Sequence, residues 1–387
     1  MAQTITQPTE RLWRSDADTP YEKFIKREGV PITKAYGITD LGEIDYAYWD
    51  RIGADAGFVM LHGMEGMTGG YVVRMPAGAS TKTDQHLFES IVYILQGRGS
   101  TTLEGPDGST VQFEWQEGSL FAIPLNAPHR FFAHGEPVRF VVFTTAPLVF
   151  DLFHSAEFVY GTPHAFRDRF DGGSEFIHRD ERIEEPSENL LGSFSHRGWL
   201  TNFVADARTV LPDEISEKNR SLRFIQYEMA DNTLITHESK YPSGSYMQGH
   251  YHGGGAILLI LRSVGYSLMW PMTAGDQPFE SGNADKVIRI DWKPGAIFSP
   301  PAGWFHQHFN AGPTDALQLA IRYGSTRYPM GVWRAQSNGE ESDGRARTMI
   351  PRSQGGNVIS YAAEDPHIRV MFNEAIAKNG VEAWVRK

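Results

Sequence analysis

Two stretches of the chain, roughly residues 56–150 and 201–330, are built of short apolar runs interrupted by Gly, Pro, Asn and Asp. That is the pattern of many short strands joined by tight turns. Within Gln318-Leu319-Ala320-Ile321-Arg322, alternation sends Leu319 and Ile321 to one face and Arg322 to the other. Elsewhere the period changes. Ile368, Met371, Phe372, Ala375 and Ile376 fall at helical spacing, with Asp365 as N-cap, Pro366 at the first position and Asn379-Gly380 as the stop. Their apolar stripe predicts a helix docked on a barrel or a neighbouring subunit. Thr19-Pro20-Tyr21-Glu22 reads as a capping box opening a second short helix that Gly29 closes. The chain therefore divides into an arm with a short helix (1–55), two strand-rich units (56–150 and 201–330), an irregular charged linker between them (151–200) and a tail with a helix (331–387).

The two strand-rich units repeat each other. Trp115-Gln116-Glu117-Gly118-Ser119-Leu120-Phe121-Ala122-Ile123-Pro124 aligns with Trp292-Lys293-Pro294-Gly295-Ala296-Ile297-Phe298-Ser299-Pro300-Pro301. A histidine, His129 or His306, follows each aligned proline at the same offset of five. Such a repeat signals a duplicated unit.

Composition narrows the function. The 39 Gly and 22 Pro beside 23 Phe and 15 Tyr suit a mainly β protein. A net charge of −11 with no basic run argues against nucleic-acid and anionic-membrane partners. With no cysteine in the chain, disulfides, thiolate metal sites and cysteine nucleophiles are excluded. The first residues lack an apolar signal core, and the longest apolar run, Ala256–Leu261, is too short to span a bilayer, so the cytoplasm is the expected compartment.

Candidate chemistry concentrates in the second unit. Gly244 precedes His250, Tyr251 and His252, whereas Gly295 leads to Pro301, Gly303, His306 and Asn310. His250 and His252, two apart on a strand, leave the same face, and His306 approaches from another strand after a Pro-Pro-x-Gly turn. Three imidazoles can then hold one side of a metal and leave the other side open. These spacings resemble the two cupin motifs, G-x5-H-x-H-x3/4-E-x6-G and G-x5-P-x-G-x2-H-x3-N. The resemblance implies an all-β fold of two tandem cupin barrels, each a jelly roll, with the arm and the C-terminal helix as additions.

The sequence departs from the motif where the metal-binding glutamate falls, at Ala256, and Ser263 replaces the closing glycine. In this respect it resembles the three-histidine ring-cleaving dioxygenases of the gentisate and 1-hydroxy-2-naphthoate kind. That resemblance implies Fe(II) on His250, His252 and His306, O2, and a small anionic, aromatic hydroxy-carboxylate substrate that ligates the metal. A Mn, Zn or Ni decarboxylase, lyase or isomerase, or a non-catalytic binding bicupin, is the alternative. His308 should share the inward face as ligand, proton carrier or hydrogen-bonding neighbour, and Arg322 is the candidate clamp for a substrate carboxylate. Leu258 and Ile260 should form an apolar wall, with Tyr266, Trp270 and Phe298 adding aromatic surface; one of Trp304 and Phe305 should line the pocket while the other packs outside. Asn310 is read as a turn or supporting residue.

The first unit carries a degraded motif: Asp84 and His86 after Gly78, Ser90 in the glutamate position, then Gly97, Gly118, Pro124, Asn126 and His129, with Ala133 in the final position. Asp84, His86 and His129, with Glu89 within reach, could form a two-His-one-carboxylate site, although retention for assembly is the favoured reading. Gentisate dioxygenases hold their metal in the N-terminal barrel, which puts that particular substrate in doubt. A homo-oligomer is expected, because paired barrel edges and the apolar arm, linker and helix need cover.

Overall fold

A computed structural model describes residues 4–5, 17–64, 66–183, 198–210, 214–215, 223–252, 255–325, 327–328, 330 and 351–384. Its strands follow the alternation read from the sequence. In Thr110–Gln116, Val111, Phe113 and Trp115 are buried and their neighbours exposed; Ile288–Trp292 does the same. In Ala316–Tyr323 every residue is buried, because one face lines the second barrel and the other packs against the first.

The fold is a tandem pair of cupin barrels. In the first, a large sheet runs in the order Phe203–Val204, Leu120–Ile123, Ser90–Gln96, Val138–Thr144, Gly69–Met75, Ala54–Leu61, Ile32–Ala35; it faces a small sheet of His129–Ala133, Arg98–Glu104 and Thr110–Gln116. In the second, Ile297–Phe298, Ile257–Arg262, Ala316–Tyr323, Leu234–Tyr241 and Arg223–Glu228 are consecutive in the large sheet. The facing sheet is ordered Ile288–Trp292, Gly265–Trp270, Phe305–Asn310, Gly249–His250, Val358–Ile359. The large sheets share one apolar core, in which Val72, Val141 and Phe143 are joined by Leu259, Leu319 and Ile321.

The duplication extends to backbone detail. Gly118 and Gly295 take left-handed φ of +92° and +86°, which favours glycine over any residue with a Cβ. Gly99 and Gly265 let an indole lie against the chain: a Cβ there would stand 2.3 Å from Trp115 and 2.5 Å from Trp292 respectively. The motif's closing glycine is also left-handed at Gly97, φ +82°. Ser263 takes its place in the second barrel at φ +75°, held by hydrogen bonds from its hydroxyl to Asn310 Oδ1 (2.9 Å) and Thr314 O (3.0 Å). Those bonds offset part of the steric cost.

The additions are woven into both barrels. The capping box forms as read, with Thr19 and Glu22 exchanging side-chain-to-backbone bonds at the head of the helix Pro20–Arg27. Gly37–Ile38 of the arm adds a strand to the second barrel at Ile297–Phe298, and Phe203–Val204 adds one to the first at Leu120–Phe121. The stretch read as an irregular linker, 151–200, takes in the end of the helix Ala146–Phe153 and contains helices Ala156–Gly161 and Glu175–His178. The C-terminal helix, Pro366–Lys378, is capped by the Asp365 side chain and lays Ile368, Phe372 and Ile376 on the outer face of the second barrel. Among the described residues no helix is long and apolar enough to cross a membrane.

Candidate metal centre

His250 and His306 are directly paired across neighbouring antiparallel strands, so their side chains leave one face of the sheet together. Their ring centroids lie 4.4 Å apart, with His252 4.8 Å from His306 and 5.8 Å from His250. One ligand nitrogen from each falls within 4.8 Å of the others. Backbone carbonyls fix two of the rings: His250 Nδ1 lies 2.9 Å from Gln248 O and His306 Nδ1 3.1 Å from Trp304 O. An Nδ1–H bonded to a carbonyl leaves Nε2 with a lone pair, the form a metal needs. Burial, reinforced by the neighbouring imidazoles, holds His306 well below its ordinary pKa, so it stays neutral and able to ligate. His250 and His306 are buried, whereas the His252 side chain is open to solvent. The donor set therefore fits a divalent transition metal with an accessible side.

The inner wall follows from strand register. Leu258 pairs with Ala320, and both belong to the inner apolar cluster with Ala256, Ile260, Met269 and Phe298. Ala256 and Arg322 each lie two residues further along the same face, which sets them at the same end of the wall on adjoining strands. Where the cupin motif has its carboxylate, this barrel has a methyl group beside a buried arginine. Burial lowers the Arg322 pKa to about 9, so the guanidinium remains charged at neutral pH.

His308 shares the inward face, its ring 5.6 Å from those of His306 and Phe298. Its Nδ1 lies 2.9 Å from the Ser267 hydroxyl, and burial brings its pKa to about 3. His308 is thus a neutral neighbour of the triad and lies outside the cluster of ligating atoms. Trp304 packs on the inner cluster while Phe305 joins the outer one. Tyr266 and Trp270 are a correction: both point outward, beneath the C-terminal helix, because Ser267 and Met269 occupy the inward positions of that strand. Asn310 is a structural tie, donating to Tyr241 O, Pro242 O and Thr314 O and accepting from Ser263 and Gly312.

Two contributors escaped sequence reasoning. Gln318 is buried on the inner face, and neither its amide nitrogen nor its oxygen has a hydrogen-bond partner among the described residues. Alternation puts it on the same face as Arg322, but only register shows that this face points into the barrel. Tyr36, from the arm, joins the inner cluster and packs on Trp304 at 5.6 Å and on His62 at 4.6 Å.

In the first barrel Asp84, His86 and His129 also come together. Glu89 does not join them. Its carboxylate is turned away, accepting from Thr233 N and Oγ1, Leu234 N and Arg169.

Residues 71–144 match the cupin domain, which places that match in the first barrel. A stretch of 88 residues is 35% identical to 3-hydroxyanthranilate 3,4-dioxygenase of Coccidioides immitis, covering 21% of this chain and 43% of that protein. The Aspergillus terreus enzyme of the same name is 34% identical over 88 residues, or 21% and 42%. The chain thus spans less than half the length of the curated relatives it matches. Among solved structures, oxalate decarboxylase of Bacillus subtilis aligns with a TM-score of 0.48 at 14% identity, covering 76% of this chain and 77% of that one. The Lactobacillus farciminis oxalate decarboxylase aligns at 0.47 and 12%, covering 75% and 86%.

Proposed function

We propose that the second barrel is a metal-dependent dioxygenase site for a small, anionic, aromatic hydroxy-carboxylate. The observation that carries this reading is the juxtaposition of three histidines with Ala256 and the buried Arg322, where a cupin carboxylate would otherwise stand. Neutral ligands leave a divalent ion its full charge, and a nearby guanidinium adds to it. Such a site binds an anion far better than a neutral molecule. His250, His252 and His306 would hold the ion, and bound Fe(II) would supply the redox chemistry of oxygen activation. Arg322 offers two parallel N–H donors to a carboxylate. Leu258, Ile260 and Phe298 give the ring an apolar wall, and Gln318 supplies amide hydrogen bonds deeper in the barrel. His308, held neutral and bonded to Ser267, can share a hydrogen bond with a substrate oxygen but carries no proton of its own to donate from an imidazolium. The partial likeness to 3-hydroxyanthranilate 3,4-dioxygenases supports the choice of an oxygenase over a Lewis-acid lyase.

The test is oxygen uptake by Fe(II)-loaded protein against a panel of hydroxybenzoates and aminohydroxybenzoates, with Mn- and Zn-loaded protein alongside. Uptake with iron alone and only with carboxylated ligands is expected. Decarboxylation or isomerisation supported equally by Zn, without oxygen, would transfer the site to the lyase class.

A further inference from the structure

We propose that the first barrel supplies one wall of the site in the second, and that His62 in that wall selects flat, aromatic anions; the choice of anion rests on the functional reading above. The wall is the turn that follows strand Ala54–Leu61. It meets the second barrel at Gly255, the residue before Ala256. Neither side of this approach has room for a side chain, the usual sign of two backbones brought close. A Cβ on Gly255 would stand 2.5 Å from Gly63 O and 2.7 Å from Met64 Sδ. One on Gly63 would collide with Ser299 Oγ and stand 2.7 Å from Pro300 O. Further on, the Tyr323 hydroxyl donates to Met67 O at 2.6 Å, one residue from Arg322. The first barrel is thus held against the end of the large sheet where Ala256 and Arg322 lie.

The arm fixes what this wall presents. Ile32–Ala35 runs beside Phe58–Leu61 of the first barrel, whereas Gly37–Ile38 pairs with Ile297–Phe298 of the second. Tyr36 is the crossing point between these pairings. His62 N donates to Ala35 O at 3.0 Å and Ser299 N to Tyr36 O at 3.1 Å, so both barrels grip the crossing through backbone bonds. Three rings form a row there, His62 lying 4.6 Å from Tyr36 and Tyr36 5.6 Å from Trp304. Tyr36 is buried, while His62 and Trp304 on either side of it are half-buried. Trp304 O lies 3.1 Å from His306 Nδ1, and Gly303 N donates to His252 O at 3.1 Å. The row therefore runs from the first barrel to the backbone that carries two of the three histidines. A planar anion drawn in by Arg322 can make offset or edge-on ring contacts with this row, which a small linear anion cannot. His62, at the outer end, is the first ring such an anion meets.

The test uses full-length protein loaded with Co2+, its visible bands titrated without oxygen against azide and against salicylate. Signal that persists in His306→Ala is subtracted. Azide is too small to need the wall, so it reports the metal centre alone. His62→Ala should weaken salicylate binding at least tenfold and leave azide within twofold of wild type. His62→Phe, which restores a ring, should recover most of the loss. Gly63→Ala, which forces the wall off Ser299 and Pro300, should weaken salicylate with metal content unchanged, and it serves as the second variant should His62→Ala not fold. Salicylate affinity within twofold of wild type in folded His62→Ala and Gly63→Ala, or equal losses for azide and salicylate, would overturn the proposal. So would wild-type protein that binds azide but no aromatic anion. Oxygen uptake is measured separately: its absence with the salicylate shifts intact would remove the dioxygenase reading and leave the wall standing.

Discussion

Ala256 and Arg322 belong together although 66 positions separate them along the chain, a distance read directly from their numbers. Removing a ligand carboxylate and adding a cation at one end of a barrel wall both raise the positive potential that an incoming anion meets. Replacing Ala256 by Glu reverses both effects, since the new carboxylate can ligate the metal or pair with Arg322. The variant is expected to hold metal at least as tightly as wild type while oxygenase turnover falls by tenfold or more; steady-state oxygen uptake with parallel metal analysis decides. A second residue, Glu238, lies buried between the barrels with one oxygen bonded to Tyr227 at 3.1 Å. Burial raises its pKa from the ordinary 4.5 to about 8. The folded chain therefore keeps a proton that the unfolded chain loses above about pH 4.5, so this group lowers stability as pH climbs towards 8. Glu238→Gln should remove that slope and stabilise the protein by roughly 1–3 kcal/mol at pH 7. Denaturant midpoints at pH 5, 7 and 8 that keep the wild-type slope would contradict the assignment. The clustering of the three histidines was legible because i, i+2 spacing on a strand forces a shared face, and the repeated proline-to-histidine offset pointed to His306. Gln318 was not, because an amide inside an apolar run carries no signal until its strand is registered.

Elements were legible where their period was strong and illegible where two faces were both buried. The C-terminal helix and the arm's capping box follow from local signals alone. Tyr266 and Trp270 illustrate the limit: their strand, Gly265–Trp270, is buried nearly throughout, so alternation could not say which aromatics face the metal. The helix Pro366–Lys378 settles their direction by covering them. Phe372 anchors that cover, its ring tilted against those of Tyr246 at 4.7 Å and Phe309 at 5.9 Å. Phe372→Ala should cost about 3–5 kcal/mol of stability and leave the metal content of folded protein unchanged. Chemical denaturation followed by metal analysis of the folded fraction checks both halves. Likewise, the arm strand Gly37–Ile38 and the strand Phe203–Val204 were not legible, because two-residue strands are defined by the partner they reach.

For the whole molecule, duplication has placed two clusters of candidate ligands at equivalent positions with different donors and different access. The second is open at His252, and the first lies beneath the segment 155–164. A homo-oligomer remains our expectation, since Leu152, Phe153 and Phe158 stand exposed together on adjoining helices; a clean monomer by light scattering at high concentration would contradict it. The central claim is that turnover belongs to the second barrel. Its most direct test is oxygen uptake by Fe(II)-loaded His306→Ala in the full-length protein, with folding verified by circular dichroism. We predict loss of at least a thousandfold in turnover, with iron lost from the second barrel. Turnover within a few-fold of wild type in folded His306→Ala would contradict the assignment.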